Sequence, residues 1–342
     1  MKSRVTLRDI ARLSKVHFST VSLALRNSAK IHPRTRERVQ MAASRLGYVP
    51  DAALQSLVAY RKSVRVPPYQ STIAWINNWE KREELRSVKS FDEYYHGAFE
   101  RASALGYKLE EFWTRDPKTS PARLAAILHA RNIRGLAVAP QEHAGTKLEL
   151  NFDGFSAIAF GYSLQPVTLH IVTNHQFMSI IRLVKKLREM GYRRMGLYLS
   201  NDWDNKVNHG FISGFMTAQN EIPKPDRVPP YLTDAFTAPD FIGWIKTRNP
   251  DIIITQSIIR QVIGWLKEAG MAVPGDIGLA DLCARPSIPD VAGIYQNDHL
   301  IGATAIDVLV GMMQRNERGL PDTIVYTLVD GVWQPGDTVR AH

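Results

Sequence analysis

This sequence has a single cysteine, Cys283, in 342 residues. An intrachain disulfide is therefore impossible, and a cysteine-rich metal site is excluded. No run of 18 apolar residues is present, so no segment reads as a membrane-spanning helix. The opening residues, MKSRVTLRDI, lack the apolar stretch of a secretory signal; the expectation is a soluble, cytoplasmic protein with no membrane partner. Low-complexity tracts and short-period repeats are missing as well. So are the G-x-x-x-x-G-K-[ST], G-x-G-x-x-G and H-E-x-x-H patterns of phosphate, dinucleotide and zinc sites. GFISG at 210–214 misplaces its serine for a nucleophile elbow, and the ten histidines are scattered singly. An enzyme reading has nothing to rest on, and neither cofactor nor metal is implied.

What is present is an uneven charge distribution. Residues 1–66 hold fourteen Lys/Arg and three Asp/Glu, a net +11, against +10 for the whole chain. The remaining residues thus sum to −1, with 29 basic and 30 acidic side chains. A compact basic head on a neutral body is the electrostatic footprint of a DNA-binding module joined to something that does not touch DNA. A disordered basic arm fits poorly. Val5, Leu7, Ile10, Ala11, Leu13, Val16, Val21, Leu25, Val39, Ala42 and Leu46 interleave the charges at core-forming spacing.

Local signals divide the head into short helices. Thr6 and Asp9 form a capping-box-like start, with Leu7, Ile10, Ala11 and Ser14 on one face. Lys15-Val16-His17 leaves room only for a tight turn. A second helix runs from about Phe18 to Arg26, and a third opens at Pro33 and stops at Gly47. Two short helices joined by a tight turn and braced by a third describe a helix-turn-helix, whose second helix enters the major groove.

The fragments TLRDIA, STVSLAL, TRERV and LGYVPD, in this order and spacing, resemble the head of the lactose-repressor/galactose-repressor family of bacterial transcription factors. The resemblance runs without gaps over residues 5–57. It implies that Thr6 and Leu7 open the first helix near phosphates and that Phe18, Ser19, Ser22 and Leu23 lie on the recognition helix. Arg26, Lys30, His32 and Thr35 would clamp the backbone, with Tyr48 and Asp51 leading into a hinge. DAALQSLVAY at 51–60 would be a hinge helix that pairs with its mate and wedges Leu57 into the minor groove. Leu23 stands where many relatives carry an arginine, Lys15 where they have a turn glycine, Asp51 where they have asparagine and Leu54 where they have alanine.

Beyond a polar, Pro67-Pro68 linker at 61–70, short apolar runs alternate with amphipathic segments. Strands are expected at Ser71–Ile76, Lys108–Trp113, Gly135–Ala139, Ala157–Phe160, His170–Val172 and Met195–Leu199, and helices at Tyr94–Leu105, Pro121–Ala130 and Met178–Met190. Gly210–Gln219, Asp251–Thr255, Arg260–Ala269, Ile277–Ala280 and Leu300–Gln314 complete the alternation. Such repeated βα units imply parallel sheets covered on both faces, with a ligand crevice at the carboxyl ends of the strands. RNIRGLAVAP, REMGYRRMGLYL, NPDIIIT, LKEAGMAVPGDIGLA and LIGATAIDVLVGMM resemble the family's effector domain, which looks like a type I periplasmic sugar-binding protein. The expected architecture is therefore a helix-turn-helix head at 1–60 and an α/β effector-binding and dimerisation body at 71–342. The body would have two Rossmann-like lobes, the first taking about 71–170 plus a late segment near 288–315.

The resemblance implies a cleft lined by Trp75, Asn77, Asn78, Tyr94, Tyr95, Tyr162, Asn174, Trp203, Asn208, His209, Gln256, Ser257, Gln296 and Asn297. Aromatic faces and amides suit a sugar ring. Two positions depart from the sugar repressors: Phe211 replaces an arginine and Cys283 an aspartate. The implied protein is a homodimeric repressor of carbohydrate-metabolism genes, bound to palindromic operator DNA and switched by a small molecule, a sugar by family habit. The alternatives are the same regulator answering to a purine, a phosphorylated metabolite or a partner protein, and a sugar-binding protein without DNA function.

Overall fold

The computed structural model describes residues 5–25, 27–28, 30–48, 71–166 and 168–340. Arg26, Asp51, Leu54, Leu57, the expected hinge at 51–60 and the linker at 61–70 lie outside the described residues.

The head is three helices, α1 (Leu7–Ser14), α2 (Phe18–Leu25) and α3 (Pro33–Leu46). Each boundary has a local cause. Thr6 and Asp9 close a reciprocal capping box, with the Thr6 amide 2.9 Å from Asp9 Oδ2. Lys15 ends α1 in the left-handed conformation, φ 51° and ψ 46°, a region that disfavours a side chain bearing Cβ. Pro33 occupies the first turn of α3, and Gly47 ends it at φ 65°. Ile10, Val21, Ala24, Val39, Ala42 and Ala43 form the small buried core.

The body comprises β1 (Ser71–Asn77), α4 (Glu84–Ser87), α5 (Lys89–Ala104), β2 (Tyr107–Trp113), α6 (Pro121–Ala130), β3 (Gly135–Val138), β4 (Ser156–Phe160) and β5 (His170–Asn174). Next come α7 (Gln176–Glu189), β6 (Met195–Ser200), α8 (Asn201–Lys206), α9 (Gly210–Gln219), β7 (Tyr231–Thr233), α10 (Ala238–Arg248), β8 (Ile252–Thr255) and α11 (Ile259–Glu268). The chain then adds β9 (Gly278–Asp281), β10 (Gly293–Tyr295), α12 (Asp298–Arg315), β11 (Tyr326–Val329) and β12 (Val332–Gln334).

These strands make two six-stranded sheets, ordered β11-β5-β4-β3-β1-β2 and β12-β10-β9-β8-β6-β7. All the pairings are parallel except β10 with β12. GLAV, SAIAF and IIIT are buried along their whole length, as strands covered on both faces must be. Each sheet belongs to one lobe, and the chain passes between the lobes three times: after β5, after β10 and after β11. The expected late segment of the first lobe needs a correction. Residues 293–295 form β10, which pairs with β9 in the second lobe, and only from Asp298 does the chain return to the first.

Within the first lobe, α5 and α12 cross at backbone contact. A Cβ on Gly97 would collide with the carbonyl of His299, and one on Gly302 with the carbonyl of Tyr94. Ala98, Ala102 and Ala305, all fully buried, continue the narrow seam. The seam matters for the site because both helices begin at the boundary between the lobes.

Candidate DNA interface and inter-lobe cleft

On the head, Thr6, Phe18, Ser19, Lys30 and His32 are exposed, whereas Ser22, Leu23 and Thr35 are half-buried. Phe18 leaves 52% of its surface open at the start of α2, an unusual exposure for an aromatic in so small a core. Its ring lies 4.6 Å from that of His17, whose Nδ1 is 2.8 Å from Ser19 Oγ, so the first turn of α2 is held as one unit. Leu7 and Tyr48 pack against the head core, which gives them a supporting position beside any phosphate contact. Arg8, Arg12, Lys15, Lys30, Arg34, Arg38 and Arg45 are exposed around this surface. Hydrogen bonds from Thr6 hold the Asp9 carboxyl below its usual range.

Between the lobes lies a cavity of about 50 Å³. It has room for a few waters and is too small for a sugar ring. Ser90, Phe91 and Tyr94 come from α5, Trp203 and Lys206 from α8, and Phe211 from α9; Cys283 follows β9. Asn174, Gln176, Gln296 and Asp298 line it from the first two crossovers.

The crossover amides are bonded to one another. Asn174 Nδ2 donates to Gln296 Oε1 at 3.0 Å, and Gln176 Nε2 to Asn174 Oδ1 at 2.7 Å. Ser179 Oγ donates to Gln296 Oε1 at 3.1 Å, while Gln296 Nε2 donates to the Leu282 carbonyl. A buried network satisfied in this way rigidifies its elements, here the strap between the lobes.

The α8 helix bridges the cleft. Phe91 and Trp203 face each other across it, nearly parallel at 12° with centroids 6.2 Å apart. Lys206 is 8% exposed, and its Nζ donates to the Glu142 carbonyl at 2.7 Å. The ammonium sits 5.1 Å from Trp203, 5.5 Å from Phe91 and 5.8 Å from Trp79. Burial lowers its pKa to about 8 against weaker opposition from Asp202 and Glu142.

Of the residues expected at the cleft, Tyr94, Asn174, Trp203 and Gln296 line it; the others are placed elsewhere. Trp75 is fully buried in the core, its ring 5.4 Å from Tyr95 and 5.0 Å from Phe160. Asn77 spends its amide on the Arg82 carbonyl and Glu111, and Asn78 on Gln141 and the Lys147 carbonyl. Tyr95 lies beneath Arg86, and Tyr162 packs on Tyr326. Asn208 and His209 form the exposed left-handed turn into α9. Gln256 bonds Ser257 Oγ, the Ser257 amide is held by Asp281, and Asn297 Nδ2 donates to the Asp330 carbonyl at the third crossover.

Sequence reasoning missed Ser90, Phe91, Gln176, Lys206 and Asp298. The departures at Phe211 and Cys283 do fall in the cavity wall.

Asp298, 4% exposed, is the first residue of α12. Burial raises its pKa from 3.8 to about 6, opposed by the Ser90 hydroxyl and Arg285, while Glu93 adds to the rise. A carboxyl raised in this way binds its proton more tightly in the folded state. Stability therefore falls as pH climbs from the unfolded value through the folded one. The expected loss above that window is up to about 3 kcal/mol. Asp298→Asn, which keeps the shape without the charge, should be more stable than the parent at roughly pH 8 and nearly equal at about pH 4. Urea denaturation of both proteins at the two pH values checks this; a pH-independent difference would contradict it.

A three-helix basic head and a two-lobed body with a cavity between the lobes define the architecture of a DNA-binding regulator. Comparison with known proteins agrees. Residues 6–51 match the bacterial regulatory proteins of the lacI family, and residues 184–331 match the periplasmic binding protein-like domain. The HTH-type transcriptional repressor PurR of Haemophilus influenzae is 22% identical over 92% of this chain and 93% of its own. The HTH-type transcriptional regulator GalS of Salmonella typhimurium is 47% identical over 53 residues, 16% of each chain. Among solved structures, the lac repressor dimer bound to operator and the anti-inducer ONPF superposes with a TM-score of 0.56 at 16% identity. That match covers 99% of this chain and 100% of the other. The CelR–cellobiose complex gives 0.56 at 17% identity, covering 98% and 100%.

The chain has the domain arrangement of the lactose-repressor/galactose-repressor family. It is a DNA-binding transcriptional repressor, not an enzyme.

Proposed function

We propose that a small molecule held between the lobes switches the operator affinity of this repressor, which acts as a homodimer on a palindromic site in the cytoplasm. The carrying observation is the cavity at the boundary of the two sheets, lined from both lobes and from two of the three crossovers. An occupant there bears on the angle between the lobes, and differential affinity for two lobe arrangements is what a switch requires. One head reads few base edges, so two-fold pairing of heads supplies the rest of the affinity. In this reading residues 1–60 contact DNA, with a hinge at 51–60 and a linker at 61–70, and residues 71–342 bind effector and dimerise. Thr6, Phe18, Ser19, Ser22, Leu23, Lys30, His32 and Thr35 face the operator. Control of carbohydrate-metabolism genes follows from the family resemblance alone.

Genomic footprinting supplies the operator. Operator affinity is then measured with and without the small-molecule fraction of a cell extract. The ratio of the two affinities should differ from one in the parent and collapse toward one in Trp203→Ala, which removes the ring shared by both lobes. A ratio of one in the parent sinks the effector switch and favours a partner protein as the input. Once a ligand is isolated, operator DNA must change its affinity by the same factor by which it changes operator affinity.

A further inference from the structure

We propose that the cleft is built for a small organic monoanion, a carboxylate on a flat apolar body, with Lys206 as the group that meets the charge. The proposal rests on the cleft being the effector site and adds the chemical class of the effector.

Three independent observations carry it. First, Lys206 is more than nine-tenths buried and has no carboxylate oxygen within 4 Å among the described residues; Asp202 and Glu142 act on it only from further away. Its one hydrogen bond, to the Glu142 carbonyl, leaves two N–H groups over aromatic faces. A buried cation without a counter-charge is costly, and an incoming anion removes that cost. Second, the Trp203 indole Nε1–H, three residues earlier on α8, is buried with no hydrogen-bond partner. Lys206 and Trp203 are donors only, and a carboxylate is an acceptor only. Third, the first turns of four long helices, α5, α7, α9 and α12, line the same cavity through Ser90 and Phe91, Gln176, Phe211 and Asp298. Their positive ends favour a negative charge there.

The rest of the wall argues against a polyol. Asn174, Gln176 and Gln296 bond one another and the Leu282 carbonyl, which uses part of the donor and acceptor capacity that hydroxyls would need. Asp298 is served by Ser90 and Arg285, which leaves the ligand's charge to Lys206. One ammonium matches one negative charge; a dianion would leave the second uncompensated beside Asp298.

The body of the ligand goes between Phe91 and Trp203. A ring sandwiched between two others needs roughly 7 Å, twice the usual carbon–carbon contact distance. With the ring centroids 6.2 Å apart and a cavity of about 50 Å³, the present arrangement holds no ring, and the lobes must part to admit one.

The test uses the full-length protein without DNA, and the probes benzoate, benzamide, phenyl phosphate and glucose, by isothermal titration calorimetry. Benzoate should bind roughly tenfold or more tightly than its uncharged isostere benzamide, the worth of one charge-assisted hydrogen bond. Lys206→Met, which keeps the stem over the rings, should erase that difference. The benzoate–benzamide pair on the parent protein stands whether or not the variant folds. Equal binding of the two, absence of benzoate binding, or an unchanged preference in a folded Lys206→Met protein overturns the proposal. A preference for phenyl phosphate overturns the carboxylate assignment, and a preference for glucose the anion. Operator affinity measured in parallel separates the two readings. Benzoate binding that leaves operator affinity unchanged defeats the switch and not the anion site, whereas operator release by glucose with no benzoate binding does the reverse.

Discussion

Replacing Gly302 with valine is expected to unfold or open the first lobe. Any Cβ at this position meets the carbonyl of Tyr94 on α5, and the nitrogen of Ala98 lies just beyond. Backbone cannot rotate out of the way as a side chain can, so the two helices must separate along the seam of Gly97, Ala98, Ala102 and Ala305. Gly302→Ala gains about 1 kcal/mol of helix propensity yet should still lose stability. Overpacking of this kind costs about 1–3 kcal/mol, and the branched valine should reach or exceed the top of that range. Thermal denaturation reads the loss directly. Because Ser90 and Asp298 lie in the first turns of the two helices at the cleft, Gly302→Ala should also alter ligand affinity under conditions where it remains folded. A variant as stable as the parent would show that α5 and α12 do not cross at backbone contact.

The second large effect concerns sequence reading. Leu23 lies on α2 between buried Val21 and Ala24 and leaves its side chain half-buried, with apolar contact as its only chemistry. Leu23→Arg introduces a guanidinium able to take the O6 and N7 of guanine together. A good bidentate pair is worth about 1–3 kcal/mol, so a two-fold symmetric site should gain roughly twice that. Selection of binding sites from random DNA should return a logo shifted toward guanine at one symmetric pair of positions. Identical logos would mean that residue 23 does not face the bases.

How far the sequence could be read depended on the length of each signal. Pro121–Ala130 and Gly210–Gln219 are helices with the bounds expected from the alternation of apolar and amphipathic segments. Lys15 does take the positive φ expected where relatives have glycine. α5 begins at Lys89, five residues before its apolar periodicity becomes visible at Tyr94. Its hidden first turn holds Ser90 and Phe91, two of the cavity residues. α10 leaves no clear pattern in the sequence although Thr237 caps it by accepting the Asp240 amide, because Gly243 and Trp244 blur its period. β10 has three residues, too few for any alternation to register, and its omission shifted the lobe boundary.

The cleft was less legible for a different reason. Trp75 and Trp203 look alike as sequence signals, yet one is locked between Tyr95 and Phe160 while the other bridges the lobes. Lys206 carries no local mark at all. Its role comes from rings and a carbonyl supplied by segments far away in the chain.

The three crossings between lobes bear on how such a protein diversifies. Each lobe is assembled from separated stretches, so no single breakpoint within the body divides it into two complete lobes. The head helices, by contrast, form one continuous stretch ahead of Ser71. A single exchange in that interval transplants an intact reading head onto an intact sensing body. The head can thus be exchanged wholesale, whereas the cavity wall, drawn from both lobes, cannot be exchanged by trading one lobe alone.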